Sequence, residues 1–193
     1  MDMYEKLSIL AEAAKYDASC SSSGSGRSGG KDGIGAALPE GCCHAFAADG
    51  RCVSLLKILM SNACVYDCKY CINRRSNDFP RATFTPREVA DLTAEFYRRN
   101  YIEGLFLSSA VVGSPDLTTE RMLEALRILR EEYGFHGYIH AKAIPGADPA
   151  LTYRLGLLAD RMSANIELPS ERSLSSLAPD KTKHSVLEPM KLI

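Results

Sequence analysis

Four apolar runs of strand length alternate with four helix patterns, and this alternation limits the fold more than any other feature of the chain. Cys52 to Met60, ending Leu-Leu-Lys-Ile-Leu-Met, is almost continuously apolar, as a strand buried on both faces must be. Thr85-Pro86-Arg87-Glu88 is a capping box with proline at the first helical position; Val89, Leu92 and Phe96 then share one face, and Asn100 is a stop. Gly104-Leu-Phe-Leu-Ser-Ser is the second strand. A helix beginning at Thr118 follows, with Met122, Leu126 and Leu129 inward and Gly134 closing it. Residues 137–144 form the third strand, ended by Pro145-Gly146, and Asp148-Pro149 opens a helix carrying Leu151, Leu155 and Leu158. Residues 161–168 are the fourth strand, ended by Pro169, and Ser170 caps a short helix through Leu174 and Leu177. Short connections between alternating strands and helices mean right-handed βαβ units and a parallel sheet, so the fold class is α/β.

The rest of the chain adds less. Residues 2–16 have the spacing of an amphipathic helix, with Tyr4, Leu7, Leu10, Ala11 and Ala14 on one side. Residues 19–35 are a Ser/Gly tract with little to bury. Its Gly30-Lys31 is not a phosphate-binding loop, because Ser25 stands where the first glycine belongs and Asp32 where Ser or Thr belongs. The chain thus divides into an N-terminal helix (1–18), a Ser/Gly-rich and cysteine-containing lead-in (19–51) and the α/β unit (52–193).

Bulk properties exclude some function classes. With 46% hydrophobic and 24% charged residues, the 193-residue chain has an ordinary globular composition. No apolar run approaches the ~20 residues that span a bilayer. The N-terminus has no basic region ahead of an apolar core, so the expected location is cytoplasmic. A net charge of −1 gives no global attraction to nucleic acid. Seven cysteines is an odd number, which in a reducing compartment favours metal ligation over disulfides.

Three of them, Cys64, Cys68 and Cys71, fall within eight residues. So short a loop can wrap one metal centre. Three thiolates do not complete a tetrahedral zinc site, nor do they bind all four irons of a cubane; a 4Fe–4S cluster so held keeps one iron open to an outside ligand. A zinc site or a plain electron-transfer cluster would draw on the same thiols. The triplet begins four residues after Met60, at the C-terminal end of the first strand, where parallel α/β folds carry their chemistry. Cys20, Cys42, Cys43, His44 and Cys52 fit no zinc spacing; they are either inert thiols or an auxiliary redox or metal set.

Cys64-x3-Cys68-x-Tyr70-Cys71 resembles the signature of the radical S-adenosylmethionine (radical SAM) superfamily. The words Cys52-Val-Ser-Leu-Leu-Lys-Ile-Leu, Ile72-Asn73-Arg74-Arg75-Ser76-Asn77-Asp78 and Gly104-Leu-Phe-Leu-Ser-Ser resemble one subfamily, the DNA modification/repair radical SAM proteins. The resemblance implies a partial (β/α) barrel with six units. About four are visible here, so the chain reads as C-terminally truncated, with an unpaired apolar edge at its fourth strand. It implies a 4Fe–4S cluster on Cys64, Cys68 and Cys71, SAM on the open iron, and an electron donor such as flavodoxin or ferredoxin. Reductive cleavage of SAM then gives a 5′-deoxyadenosyl radical, here for DNA modification or repair. An inactive fragment, or a non-catalytic iron–sulfur or zinc module, is the alternative.

The resemblance also implies individual roles. Tyr70 would lie against adenine. Ser108 and Ser109 stand where relatives have a Gly-Gly-Glu-like element for the SAM amino group; here the element is Ser-Ser-Ala. Asn165 and Glu167, on one face by strand alternation, would meet the ribose and carboxylate. Arg74 and Arg75, in a locally basic segment with Lys69, Arg81 and Arg87, are candidates for a substrate phosphate, of DNA or of a nucleotide-derived molecule. Lys142, near the end of the third strand with His140 two residues before it, is a further substrate candidate. Each also has a plain structural reading, as a packed tyrosine, a polar strand end or a solvated charged loop.

Overall fold

The computed structural model describes residues 1–16, 42–46 and 52–192. The Ser/Gly tract and Cys20 lie outside these residues, and of Cys42, Cys43, His44 and Cys52 only the backbone course is described. Helix α1 (Met3–Ala14) is followed by β1 (Cys42–Phe46), β2 (Cys52–Leu59), α2 (Pro86–Arg98), β3 (Gly104–Ser108), α3 (Pro115–Arg127), β4 (Tyr138–Lys142), α4 (Pro149–Leu158), β5 (Arg161–Ser163), α5 (Glu171–Leu177) and α6 (Lys183–Leu187). The sheet order is β1-β2-β3-β4-β5, with β2 to β5 parallel. The expected α/β architecture with four parallel strands is therefore present. Among the described residues no helix is long and apolar enough to cross a membrane.

The two faces of the sheet differ in chemistry. Leu56, Ile58, Leu105, Leu107, Ile139 and Ala141 lie in register on one face, all fully buried in a core shared with Leu10, Val89, Met122, Leu126 and Leu155 of the helices. The opposite face carries Lys57, Phe106 and His140 in one row. The Lys57 ammonium sits 5.6 Å from the Phe106 ring centre, the His140 ring packs 4.4 Å from Phe106, and His140 Nε2 is 2.8 Å from Ser163 Oγ. Gly104 permits the close β3–β4 approach, since a Cβ there would collide with the Tyr138 carbonyl.

Local signals form the elements largely as expected. Thr85 and Glu88 make the predicted reciprocal cap, and Asp2 and Glu5 make another on α1. Asn100 and Gly134 take the left-handed conformation expected of helix stops, at φ 57° and 59°.

Five expectations need correction. Residues 42–46 are not a mere lead-in: they pair antiparallel with β2, Cys42 opposite Leu56 and Phe46 opposite Cys52, and cover its outer edge. The helix expected from Thr118 starts at Pro115 with Ser114 as cap; Thr118 instead turns its hydroxyl to the Val112 and Ser114 carbonyls. That helix does not run evenly to Gly134, because a π-turn over Ile128–Glu132 ends it. Tyr4 is exposed, and Ala13 takes a place in the core beside Leu10, Ala11 and Ala14. The fourth parallel strand is three residues long instead of eight. Its partner β4 ends at Lys142, opposite Ser163, so β5 has no ladder to follow further. The anticipated long apolar edge is therefore short, with Arg161 exposed and Met162 and Ser163 half-buried.

Candidate active site

Beyond β2 the chain is pinned before it makes the cysteine loop. Met60 donates to the Ser108 carbonyl, Phe84 to the Met60 carbonyl and Ala110 to the Ser61 carbonyl, each at 2.8 Å. Buried Asn62 accepts from the Ala82 amide and donates to the Pro80 carbonyl, both at 2.8 Å. The loop thus leaves the C-terminal end of the parallel strands from a fixed base, as the order of strand and cysteines predicts.

The loop is then held on three sides. Val65 N–H donates to the Val111 carbonyl at 2.8 Å, tying it to the segment after β3. Arg75 N–H donates to the Tyr66 carbonyl at 2.8 Å. Lys69 N–H donates to the Leu177 carbonyl at 2.7 Å, and Asp67 N–H to Asp180 Oδ2 at 2.8 Å, which docks the loop on the segment around α5. The Cys68 side chain is buried against Leu174, Ala178 and Val186.

Arg81 explains how the residues after the triplet are shaped. Its guanidinium donates to the carbonyls of Asn62, Asn73, Arg74 and Asn77. This planar fork collects four main-chain acceptors that no local helix or strand satisfies. Arg81 is therefore a structural brace and not a surface phosphate contact. Arg87 is likewise occupied, on Glu132 at 2.7 Å. Arg75 reaches back to the Val65 carbonyl.

Cys64, Cys68 and Cys71, free of disulfides, share the wall of one cavity of about 540 Å³. Tyr70, Arg74, Ser108, Ser109, Lys142, Asn165 and Glu167 also line it. Arg75, Lys69, Arg81, Arg87 and His140, also singled out in the sequence, are not among the lining groups. Asn165 and Glu167 reach the cavity by a different route from strand alternation. The backbone has left the sheet, and Glu167 takes φ 65°. A left-handed conformation in a non-glycine residue costs roughly 1–2 kcal/mol, so the surrounding contacts must hold it.

Those contacts are specific. The Tyr70 hydroxyl donates to Glu167 Oε2, and Lys181 Nζ bonds Glu167 Oε1 at 2.6 Å. The Glu167 and Lys181 side chains are 7% and 11% exposed, so the ion pair is almost fully removed from water. Lys181 had no motif around it to mark it in the sequence.

The electrostatics follow from burial. Desolvation pushes the Cys68 and Cys71 thiols above their ordinary range, the neighbouring cysteines add to this, and Lys181 pulls both back. The Asn73 amide also hydrogen-bonds Cys71 and stabilises its thiolate. Burial and the Glu167 carboxylate drive the Tyr70 phenol strongly upward, so it remains a donor.

Two polar atoms on the cavity wall are buried without a partner: Ser108 Oγ and Asn73 Oδ1. Their residues are 2% and 8% exposed. A buried acceptor left unsatisfied costs roughly 1–3 kcal/mol, and a ligand carrying N–H or O–H groups in the cavity would relieve it. Ser109 differs, since its hydroxyl donates to the Ala110 carbonyl at 2.7 Å. Among the described residues no group of three or more His, Cys, Asp or Glu side chains converges as the ligands of a single ion do.

No protein-family model and no curated protein matches the sequence. Solved structures do share its fold. The [FeFe]-hydrogenase maturase HydG from Carboxydothermus hydrogenoformans superposes with a TM-score of 0.58 at 19% identity, over 69% of this chain and 32% of that protein. Methylornithine synthase (PylB) superposes with a TM-score of 0.56 at 17% identity, over 70% of this chain and 39% of that one. The similarity thus spans about a third of the length of those proteins.

Proposed function

We propose that this chain is the cluster-bearing part of a radical SAM enzyme, with Cys64, Cys68 and Cys71 as ligands of a 4Fe–4S cluster and SAM in the adjoining cavity. The observation that carries this reading is one cavity wall bearing three free thiols beside two buried, unpartnered polar atoms. HydG and PylB, which share the fold, are radical SAM enzymes, and this supports the same direction. Cys64, Cys68 and Cys71 would hold the cluster, which would supply the electron for reductive cleavage of a SAM bound in the cavity.

The chain's own residues bind, orient and exclude water. Ser108 Oγ, at the end of β3, accepts from the SAM ammonium in place of a glutamate. Asn165 is available to the ribose, and Tyr70 lines the cavity while its hydroxyl is committed to Glu167. Glu167 itself is therefore a support for Tyr70 more than a direct SAM ligand. Arg74 and Lys142 add positive charge to the same wall, suited to an anionic substrate group. We propose a DNA or nucleotide-derived substrate, on the likeness of the words around the cysteines, and a flavodoxin or ferredoxin as electron donor.

The test is anaerobic reconstitution with iron and sulfide, followed by reduction in the presence of SAM. Release of 5′-deoxyadenosine is expected, falling to background in Cys68→Ala. Tight zinc binding with no iron uptake overturns the reading.

A further inference from the structure

We propose that Lys181 is a positioning residue for the cluster: through Glu167 it fixes Tyr70 and the cysteine loop, and its charge offsets that of the ligated thiolates. This rests on the cluster reading above. Three segments meet at one carboxylate. Tyr70 comes from the cysteine loop, Glu167 from the left-handed turn after β5, and Lys181 from the link between α5 and α6.

The ion pair does not need to be ionic for packing. A buried pair gains little over apolar side chains of similar volume, because both charges lose their hydration. Here the pair and the three cysteines line the same cavity. Each thiolate is negative, and one-electron reduction of a cluster adds further negative charge. Glu167 alone would worsen that repulsion; Lys181 cancels it and leaves the carboxylate free to hold the tyrosine hydroxyl.

The surrounding contacts give Lys181 leverage on the loop. It lies one residue after Asp180, which accepts the Asp67 amide, and four after Leu177, whose carbonyl accepts the Lys69 amide. Releasing Lys181 from Glu167 therefore loosens the same strap that covers Cys68.

The experiment compares wild type, Lys181→Met, Lys181→Arg and Glu167→Gln, each reconstituted anaerobically. Iron content, midpoint potential by EPR-monitored titration, and iron loss to a chelator are read for each. Lys181→Met is expected to lower the midpoint potential and lose iron several-fold faster. Lys181→Arg is expected to restore both. Glu167→Gln removes a negative charge and is expected to move the potential upward, opposite in sign to Lys181→Met. A role confined to folding would lower thermal stability without this sign reversal. Equal potentials in Lys181→Met, Glu167→Gln and wild type overturn the proposal while leaving the cluster reading intact. If Lys181→Met does not fold, Glu167→Gln alone decides by the direction of its shift. Failure of the wild-type chain to take up iron overturns the cluster reading, and this proposal with it.

Discussion

The helix-covered face of the sheet and the cavity at its C-terminal end are built on opposite principles. On the first, Leu105, Leu107, Met122, Leu126 and Ile139 are fully buried and ask nothing of their neighbours but close packing. At the second, the wall holds an ion pair almost stripped of water, thiols raised by burial, a glutamate in a left-handed conformation, and two polar atoms without partners. Each of those features is unfavourable for folding on its own. Their concentration in one place, beside an otherwise regular core, sets the candidate site apart from the packed face.

That contrast can be broken by experiment. The largest effect on stability is expected on the packed side. Leu126→Ala removes a fully buried side chain and should cost about 2–5 kcal/mol in denaturant unfolding. Iron uptake per folded chain should stay at the wild-type level. Lower uptake by folded protein would mean that the core and the cavity are not separable.

Ser108→Ala should behave in the reverse way. It removes the unpartnered hydroxyl, so the free energy of unfolding should hold or rise. Binding of SAM to the reconstituted protein should weaken about tenfold by equilibrium dialysis, equivalent to roughly 1.4 kcal/mol. A loss of stability with unchanged SAM affinity would move Ser108 to the packed side of the comparison.

The smallest effect is expected at the seam between α1 and α2. Lys6 Nζ bonds Glu88 at 2.7 Å, with both side chains partly buried. For Glu88, burial alone would raise the carboxyl, but the bonds from Lys6 and the Thr85 amide outweigh it and hold it below its ordinary 4.5. A carboxyl depressed in the folded state contributes stability above its unfolded value, and this is lost as pH falls through the folded value. Stability should therefore decline on acidification below about pH 4.5, and Lys6→Met should flatten that decline. Its cost at neutral pH should be about 0.5–1 kcal/mol, read from chemical denaturation.

The sequence was most legible where one short stretch carries its own cause. Thr85 and Glu88 announce α2 because the cap and its partner are three residues apart. The cysteine triplet announces its own loop in the same way. Arg81 misled, since its charge suggested a surface contact while its four carbonyl partners are visible only once the loop has closed round it. Asn165 and Glu167 were reached through a strand that stops short of them; both line the cavity, although the periodicity did not describe their backbone.

The chain's letters determined the parallel α/β order, the helix boundaries set by caps and stops, and the three thiols in one loop, because all of these arise from interactions spanning a few residues. Only the tertiary structure decided that β1 closes the sheet edge, that β5 ends after three residues, and that Lys181 and Tyr70 meet at Glu167. Tyr70 and Glu167 are 97 residues apart. No periodicity or propensity encodes such a contact; it exists only after the sheet and helices have fixed where the two ends of the path lie.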